Sequence, residues 1–389
     1  MTNITLFAQI ISKIDRRIFN NLVGKYNSDK HNKGFNSWTH FVSMLFCHFA
    51  SSKSVRDISN GLRSATGNLN HLGIQKAPSK STISYQNKRR DWHLFRDLYY
   101  ELSENFQKDN QFKKVKFKIK SKIYLLDSST ISLCLSLFDW AKYKTHKGAV
   151  KIHTVLDYES DLPIYINITD GKTADNKGAY NIPLQANSVI VADRFYNDFT
   201  MLNNWDSKQV KFVIRHKNNL KFKVIKENEL PSNRHQNILK DEVIELESMI
   251  SNSKYPNKLR RISVWDEENK QVIELITNQI SWTAETISEL YKARWRIEIF
   301  FREIKQLLHI KTFIGTSENA VMIQIWTAMI TILMLRVLKK SAKYGWNMSN
   351  LVAFLRLNTF VKIELQKWLD LPYQEANSPP KRWIQGVLF

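Results

Sequence analysis

Two short apolar runs in this chain each end directly in an aspartate, and they constrain the fold more than any other feature. Ile123–Asp127 reads IYLLD and Ser188–Asp193 reads SVIVAD. Continuous apolar runs of this length are typical of buried strands. A carboxylate at the end of such a strand lies at the lip of the sheet, where ligands of open α/β sheets bind. The two aspartates are therefore candidate functional residues, although a turn residue or helix cap is the alternative for either one alone.

The rest of the second part of the chain predicts an α/β core. Further predicted elements are strands over 150–157, 164–169 and 211–215 and a helix over 177–184. Residues 216–284 are polar with weak alternation, which predicts a β-rich insertion. Residues 285–310 predict a long helix, and apolar helices over about 320–370 are expected to finish the core. The sequence therefore predicts an α/β fold class for residues 123–389.

Composition excludes several classes of protein. The only cysteines are Cys47 and Cys134, too few for a disulfide scaffold or a cysteine-rich zinc module. The most apolar stretch, Val321–Leu338, contains Gln324 and Arg336, which favours a buried helix over a membrane span. The N-terminus lacks the apolar core and cleavage site of a signal peptide. We therefore expect a cytoplasmic protein that has no membrane partner.

Positive charge is concentrated in the first third of the chain. The whole chain carries a net charge of +22. Residues 1–122 hold 22 basic and 8 acidic side chains, a net charge of +14, whereas residues 123–389 hold 36 and 28, a net charge of +8. A coding bias toward lysine would spread the excess more evenly along the chain. The uneven distribution favours a polyanionic partner such as DNA for the N-terminal region.

The sequence of residues 1–122 predicts an all-α N-terminal DNA-binding domain with a linker. Its predicted helices cover 3–22, 37–50, 53–66 and 80–106. The last of them carries Lys88, Arg89 and Arg90, and such a helix can lie along a phosphate backbone or enter a major groove. A solvated basic helix with its aromatic residues in the core is an equal alternative. Lysines that alternate with apolar residues over 107–122 predict a linker running into an edge strand.

The predicted helix over 285–310 presents one narrow polar stripe. At about 100° per residue, four of its side chains lie at roughly 0°, −60°, −20° and −40°. These four residues are Tyr291, Arg294, Glu298 and Lys305. The apolar residues of the same helix occupy a separate arc, so the helix packs by one face and offers a tyrosine, two cations and a carboxylate from another. This set suits an anionic substrate better than it suits a plain solvated surface.

The pattern of the polar stripe resembles the signature of DDE transposases of bacterial insertion sequences, in the insertion-sequence-four family. The spacing Y-x-x-R-x-x-x-E-x-x-x-x-x-x-K is matched in full. Asp127, followed by Ser-Ser-Thr, resembles the first aspartate of that family. Asp193, followed by Arg-Phe-Tyr, resembles the second, although many relatives have glycine where Phe195 stands. The tract from Lys147 to His153 is also similar to the family, and the resemblance covers about 123–340.

The resemblance implies a ribonuclease H-like catalytic core interrupted by the β-rich insertion at about 216–284. It implies that Asp127, Asp193 and Glu298 are the catalytic carboxylates. Three carboxylates from distant parts of a chain can hold two Mg²⁺ ions, for which Mn²⁺ substitutes, and two such ions support in-line phosphoryl transfer. The same site can then cut the ends of a DNA element and join its 3′-ends to target DNA.

The resemblance also implies how DNA is bound. Arg294 and Lys305 are expected to hold phosphates, and Tyr291 to position a phosphate near the terminal nucleotide. Arg302 is expected to touch DNA because it falls near the polar stripe of the same helix. Trp265 is a candidate for stacking on a flipped base, although a buried strand residue is the favoured alternative. The expected partners are double-stranded DNA, as terminal inverted repeats and as target, and a second copy of the chain in a synaptic homodimer.

Two other functions remain open from the sequence. A metal-dependent DNA nuclease of the same core would cut without strand transfer. A domesticated, non-catalytic DNA-binding protein would bind DNA without regard to Mg²⁺ or to the loss of Asp127. The complete carboxylate trio favours catalysis.

Overall fold

A computed structural model gives the structure of the chain. It describes residues 3–32, 34–65, 67–108, 117, 119–133, 140, 142–144, 147–216, 220–230, 237–307 and 313–373. Cys134 and most of the predicted linker over 107–122 lie outside the described residues.

Six helices form the N-terminal region, and most begin at a side chain that caps them. They are α1 (Leu6–Ile11), α2 (Arg16–Lys25), α3 (Ser37–Phe49), α4 (Val55–Ser64), α5 (Lys80–Arg89) and α6 (His93–Lys108). Thr5, Asp15, Asn36, Ser54 and Ser79 each accept a hydrogen bond from a backbone N–H of the first turn. Such caps satisfy backbone donors that the helix itself leaves unpaired.

Two of the predicted N-terminal helices are each divided in two. The helix predicted over 3–22 becomes α1 and α2, because Asp15 caps a new helix. The helix predicted over 80–106 becomes α5 and α6. Arg90 is extended there, at φ −68° and ψ 130°. Asp91 then accepts a hydrogen bond from the backbone N–H of His93 at 2.9 Å. Helical periodicity continued across both breaks, so apolar spacing alone did not reveal them.

Ten strands and several helices follow along the chain. The strands are β1 (Ile123–Leu133), β2 (Lys142–Lys144), β3 (Lys147–Asp157), β4 (Pro163–Asp170), β5 (Val189–Ala192), β6 (Lys211–Arg215), β7 (Phe222–Glu227), β8 (Ile238–Leu246), β9 (Leu259–Asp266) and β10 (Gln271–Thr277). The helices are α7 (Asp175–Ala179), α8 (Phe199–Ser207), α9 (Met249–Lys254), α10 (Ala284–Ala293), α11 (Trp295–Leu307), α12 (Glu318–Ser341), α13 (Met348–Leu357) and α14 (Leu365–Asp370). The mixed α/β fold class is therefore confirmed.

One sheet contains all ten strands. Their order is β2-β3-β1-β5-β6-β10-β9-β8-β7, and β4 pairs with β3 beside β2. Strands β1, β5 and β6 run parallel to one another, whereas β3 is antiparallel to both β1 and β4. The predicted β-rich insertion does not form a sheet of its own. Its strand β10 pairs antiparallel with β6, so the insertion extends the central sheet.

The N-terminal helices and the C-terminal helices share one hydrophobic core. His48 of α3 contacts Thr327 of α12, with 3.0 Å between Nε2 and Oγ1. The rings of Trp92 and Trp326 stack with their centroids 6.5 Å apart. The side-chain amide of Asn319 donates to the backbone carbonyls of Asn87 and Arg90, each at 2.8 Å. Helices α3, α5 and α6 of the predicted N-terminal domain therefore pack directly against α12.

Helix α12 lies at the centre of this helical layer. It contacts α3, α5 and α6 on one side and α11, α13 and α14 on others. By length and composition it could cross a membrane, but 89% of its most apolar window is buried within the structure. A helix that is apolar all round is typical of a buried core helix, as its sequence predicted.

Candidate active site

Asp127 and Asp193 lie level with each other on neighbouring strands. The parallel pairing of β1 with β5 ends at Leu126 and Ala192. Asp127 is the next residue of β1, and Asp193 follows directly after the last residue of β5. Neighbouring strands are about 4.8 Å apart. The sequence predicted that Asp127 ends its strand. In the structure β1 continues past Asp127 to Leu133, because it goes on pairing with β3. The carboxylate lies where the pairing with the parallel neighbour ends.

Backbone N–H groups fix both aspartates. Asp127 Oδ1 accepts from the backbone N–H of Ser128 at 2.7 Å. Asp193 Oδ1 accepts from the backbone N–H of Phe195 at 2.8 Å and so begins a short 3-10 helix over 194–196. The second oxygen of Asp127, Oδ2, faces the guanidinium of Arg294.

Glu298 reaches the same place from a different part of the chain. Helix α11, which carries it, packs against β1. Arg294 lies between the two carboxylates. Its Nη1 is 3.1 Å from Asp127 Oδ2 and its Nη2 is 2.6 Å from Glu298 Oε1. One guanidinium therefore joins two carboxylates that are 171 residues apart in the sequence.

The predicted single helix over 285–310 is divided at Arg294. Helix α10 ends at Ala293, and Arg294 is its C-cap. The backbone N–H of Arg294 donates to the carbonyl of Tyr291 at 3.0 Å, and Ile297 in turn donates to the carbonyl of Arg294. These i to i−3 bonds tighten the turn. Three residues of the polar stripe, Tyr291, Arg294 and Glu298, nevertheless stay together, since the Arg294 guanidinium lies 5.6 Å from the centre of the Tyr291 ring and contacts Glu298.

The three carboxylates and Arg294 act on one another electrostatically. Burial raises the pKa of Asp127 to about 7, and Arg294 opposes this rise while the charges of Asp193 and Glu298 add to it. Burial also raises the pKa of Asp193, again against Arg294. Burial is the main cause of both shifts, so Asp127 and Asp193 each lie in partly desolvated surroundings, and the like charges near Asp127 disfavour its ionisation further.

Four residues at this edge of the sheet were missed from the sequence. Ser128 Oγ donates to Asp175 Oδ1 at 2.5 Å, and Lys151 Nζ is 3.0 Å from the same oxygen. Arg215 ends β6, and its positive charge acts to lower the pKa of Tyr291, which burial raises overall. Ser128, in the Ser-Ser-Thr after Asp127, and the tract around Lys151 carried a signal through their resemblance to transposases. Asp175 is a lone aspartate between β4 and β5, with no spacing that marks it.

Comparison with known families identifies the chain. The profile of the family described as the transposase DDE domain matches residues 118–334, more than half of the chain. This chain belongs to the DDE transposases. A second profile, for a domain of unknown function, matches residues 2–75. Transposases of this family cut and join DNA, so the family implies DNA as a partner of this chain.

Three relatives of this transposase are named as transposases. A protein of Geobacillus stearothermophilus, named as a transposase for insertion sequence element IS5377, is 28% identical over 71% of this chain and 72% of its own length. The protein y4zB of Sinorhizobium fredii is 30% identical over 67% of this chain and 72% of its own length. A protein of Synechocystis, named as a transposase for insertion sequence element IS4SA, is 28% identical over 74% of this chain and 80% of its own length.

The donor set of the transposase fits a divalent cation in its chemistry. DDE transposase domains generally use divalent metal ions, and Mg²⁺ prefers carboxylate oxygen. With all groups ionised, Asp127, Asp193, Glu298 and Arg294 together carry a net charge of −2. Within the described residues, no group of three His, Cys, Asp or Glu side chains is close enough to hold one ion. Arg294 provides the positive charge between two of these carboxylates.

The predicted DNA-contacting residues differ in exposure. Arg302 and Lys305 of α11 are exposed, and so are Lys88 and Arg89 of α5. The prediction that Arg90 contacts DNA is wrong in this structure. Its side chain is buried and donates to the carbonyl of Phe35 at 3.2 Å. Burial lowers the pKa of Arg90 to about 10. In this structure Arg90 holds the helical region together and does not face solvent as a DNA contact would.

Trp265 lies on the insertion, in strand β9. Its side chain is 38% exposed, although a buried strand position was the favoured alternative from the sequence. It is paired with Val272 of β10, which is also exposed. An indole on a sheet surface offers a face on which a base can stack.

Proposed function

We propose that this transposase binds the terminal inverted repeats of an insertion sequence, cleaves the ends of the element and joins its 3′-ends to target DNA. The catalytic carboxylates are Asp127, Asp193 and Glu298. One observation carries this proposal. Carboxylates from β1 and α11 meet on a single guanidinium, and Asp193 lies level with the first of them on the neighbouring strand.

We infer that the core is ribonuclease H-like. Strand order supports this inference, since β4-β3-β1-β5-β6 has an antiparallel β3 beside three parallel strands. The β-rich insertion enters after β6 and ends before α10. This position agrees with the arrangement that the family resemblance implies.

The same carboxylates are proposed to hold two Mg²⁺ ions, for which Mn²⁺ substitutes. Such ions lower the pKa of an attacking water and stabilise the leaving oxygen of a phosphodiester. The protein's part is to hold the carboxylates in place and to position the DNA. Arg294 has a planar guanidinium that suits a phosphate as well as a carboxylate, so it can bind the scissile strand once it leaves Asp127 or Glu298.

Further cations extend the proposed DNA surface. Tyr291 lies against Arg294, where it can position a phosphate near the terminal nucleotide. Lys305 and Arg302 are exposed on α11, and Lys88 and Arg89 are exposed on α5. Exposed cations of this kind contact phosphates without reading sequence. DNA binding is therefore expected to weaken steeply as salt is raised.

Three finer features belong to the same proposal. The N-terminal helical region binds the terminal repeats, which its net charge of +14 supports. Trp265 stacks on a base that is flipped out during cleavage, which its exposure supports. Two copies of the chain act together on two ends, as a homodimer in the synaptic complex. The relative named for element IS4SA supports membership of the insertion-sequence-four family.

The decisive test uses Glu298→Gln, which keeps the shape of the side chain but removes its charge. We expect cleavage of DNA carrying the element ends, with Mg²⁺, to fall by about 1,000-fold. DNA binding in EDTA should be unchanged. The matched control is Glu289→Gln, since Glu289 is an exposed glutamate on α10. This variant should cleave DNA as the wild type does.

The outcomes separate the candidate functions. Cleavage by Glu298→Gln at the wild-type rate would refute the assigned carboxylate. Cleavage without joining of 3′-ends to target DNA would favour a nuclease. DNA binding with no cleavage by the wild type in Mg²⁺ or Mn²⁺ would favour a non-catalytic DNA-binding protein.

A further inference from the structure

A fourth carboxylate, Asp175, lies at the same edge of the sheet as the proposed catalytic trio. It is the first residue of α7, in the connection between β4 and β5. Its Oδ1 accepts from Ser128 Oγ at 2.5 Å and lies 3.0 Å from Lys151 Nζ. One oxygen thus receives two donors, one from β1 and one from β3.

Ser128 connects Asp175 to Asp127. Its hydroxyl donates to Asp175, and its backbone N–H donates to Asp127 Oδ1 at 2.7 Å. Asp127 Oδ2 points the other way and receives Arg294. Both oxygens of the Asp127 carboxylate are therefore held, one from the strand side and one from the helix side.

Lys151 supports this arrangement from the neighbouring strand. Its side chain is only 13% exposed, and it also donates to the carbonyl of Thr173 at 2.8 Å. Lys151 therefore fixes the loop that leads into α7 as well as neutralising Asp175. A partly buried pair with additional hydrogen bonds holds its geometry better than an exposed pair does.

Packing of α7 against β3 fixes the position of Asp175. His153 lies two residues after Lys151, so both side chains project from the same face of β3. The His153 ring is buried against Gly178, where an added Cβ would lie 2.3 Å from Nδ1. His153 Nε2 is 3.0 Å from Thr169 Oγ1 on β4. Helix α7 therefore has little freedom to slide along the strand.

We propose that Ser128, Lys151 and Asp175, which we call the Asp175 clamp, fix the direction of the Asp127 carboxylate for catalysis. Asp175 is a positioning residue, since it acts through Ser128 and contacts no reacting atom. This inference rests on the function proposed above, in which Asp127 holds a divalent cation. Groups that orient metal-binding side chains commonly change metal affinity by about 10-fold to 100-fold when they are removed.

The test measures Mn²⁺ affinity of the full chain, without DNA, by isothermal titration calorimetry. We expect Ser128→Ala and Asp175→Ala each to weaken Mn²⁺ binding by about 10-fold. The double variant should weaken it no further, because both substitutions remove the same connection. Ser128→Thr keeps the hydroxyl on a strand position that favours a β-branched residue, and it should restore wild-type affinity.

Cleavage of DNA by the same variants provides the second measurement. The clamp predicts a lower maximal rate, while DNA binding in EDTA stays unchanged. Glu159→Gln is the matched control, since Glu159 forms an ion pair with Lys122 at 2.7 Å near the opposite end of β1. It should leave both Mn²⁺ affinity and cleavage at wild-type values.

Each outcome decides the inference. Wild-type Mn²⁺ affinity in Ser128→Ala would overturn the clamp, even if Asp175→Ala is impaired, because Asp175 would then act directly. Additive losses in the double variant would overturn it too. Mn²⁺ binding by a wild-type protein that cuts no DNA would refute the proposed function but leave the clamp to be judged by affinity. Wild-type protein that binds no Mn²⁺ would refute both.

Discussion

At the scale of single residues, Arg294 is the group on which the site depends. It is largely buried, and it joins Asp127 to Glu298 through its two terminal nitrogens. Removing one partner from a buried ion pair leaves the remaining charge without compensation, which is strongly destabilising. Lysine cannot replace arginine here, because one ammonium cannot present two nitrogens in a plane.

Substitution of Arg294 should therefore destabilise the metal-free protein. We expect Arg294→Gln to lower the free energy of unfolding by about 2 kcal/mol in EDTA, because the carboxylates lose their cation. Urea denaturation followed by circular dichroism measures this change. Arg302→Gln, on the exposed face of the same helix, should change it by less than about 0.5 kcal/mol. Equal stability of the two variants would contradict the role given to Arg294.

The residue types of the site were predictable, whereas its surroundings were not. Tyr291, Arg294 and Glu298 repeat at helical spacing, and the two aspartates follow apolar runs, so local pattern was enough to find them. Asp175 and Ser128 meet only because β1 and the β4–β5 connection are brought together by the sheet. Such a contact depends on long-range packing, and no local period reports it.

At the scale of elements, the short helix α7 determines where Asp175 lies. Gly178 lets this helix approach β3, because the fully buried ring of His153 occupies the space that a Cβ needs. The sequence predicted a helix over 177–184, later than the observed one, since the polar residues at its start carry no apolar period. The same limitation hid the helix break at Arg294, where apolar spacing continues through a tightened turn.

Alanine at position 178 should displace α7. We expect Gly178→Ala to lower the free energy of unfolding by about 1–3 kcal/mol, as overpacking in a core does. Gly24→Ala is the control, since Gly24 lies in α2 with open space around its Cα. Alanine there should raise stability by about 0.5–1 kcal/mol through its higher helix propensity. Thermal denaturation of both variants measures the difference, and a stabilised Gly178→Ala would show that α7 is not held by this contact.

At the scale of the whole molecule, the first and last parts of the chain complete one core. The sequence predicted residues 1–122 as a separate unit because charge and composition change near that point. Apolar residues of α3, α5 and α6 pack against α12. The all-round apolar character of α12 predicted burial but could not identify its neighbours. The change in composition near residue 122 marks a change in charge, and the helices before it also pack against α12.

Shared packing predicts a single unfolding event. Differential scanning calorimetry of the full chain should show one transition that contains both the helical region and the sheet. A fragment that begins at residue 123 should lack a cooperative transition, because it exposes the apolar faces of α12. Two separate transitions, or a folded fragment, would contradict this dependence.

The burial of α12 also has a consequence for copies of such a gene whose reading frame has been interrupted by mutation. A reading frame that stops before Glu318 would encode the basic N-terminal helices without the segment that covers their apolar faces. Chains of that kind are expected to be cleared by proteases, because exposed apolar surface marks an unfolded substrate. Interrupted copies would then leave no shortened competitor to occupy the ends of an intact element.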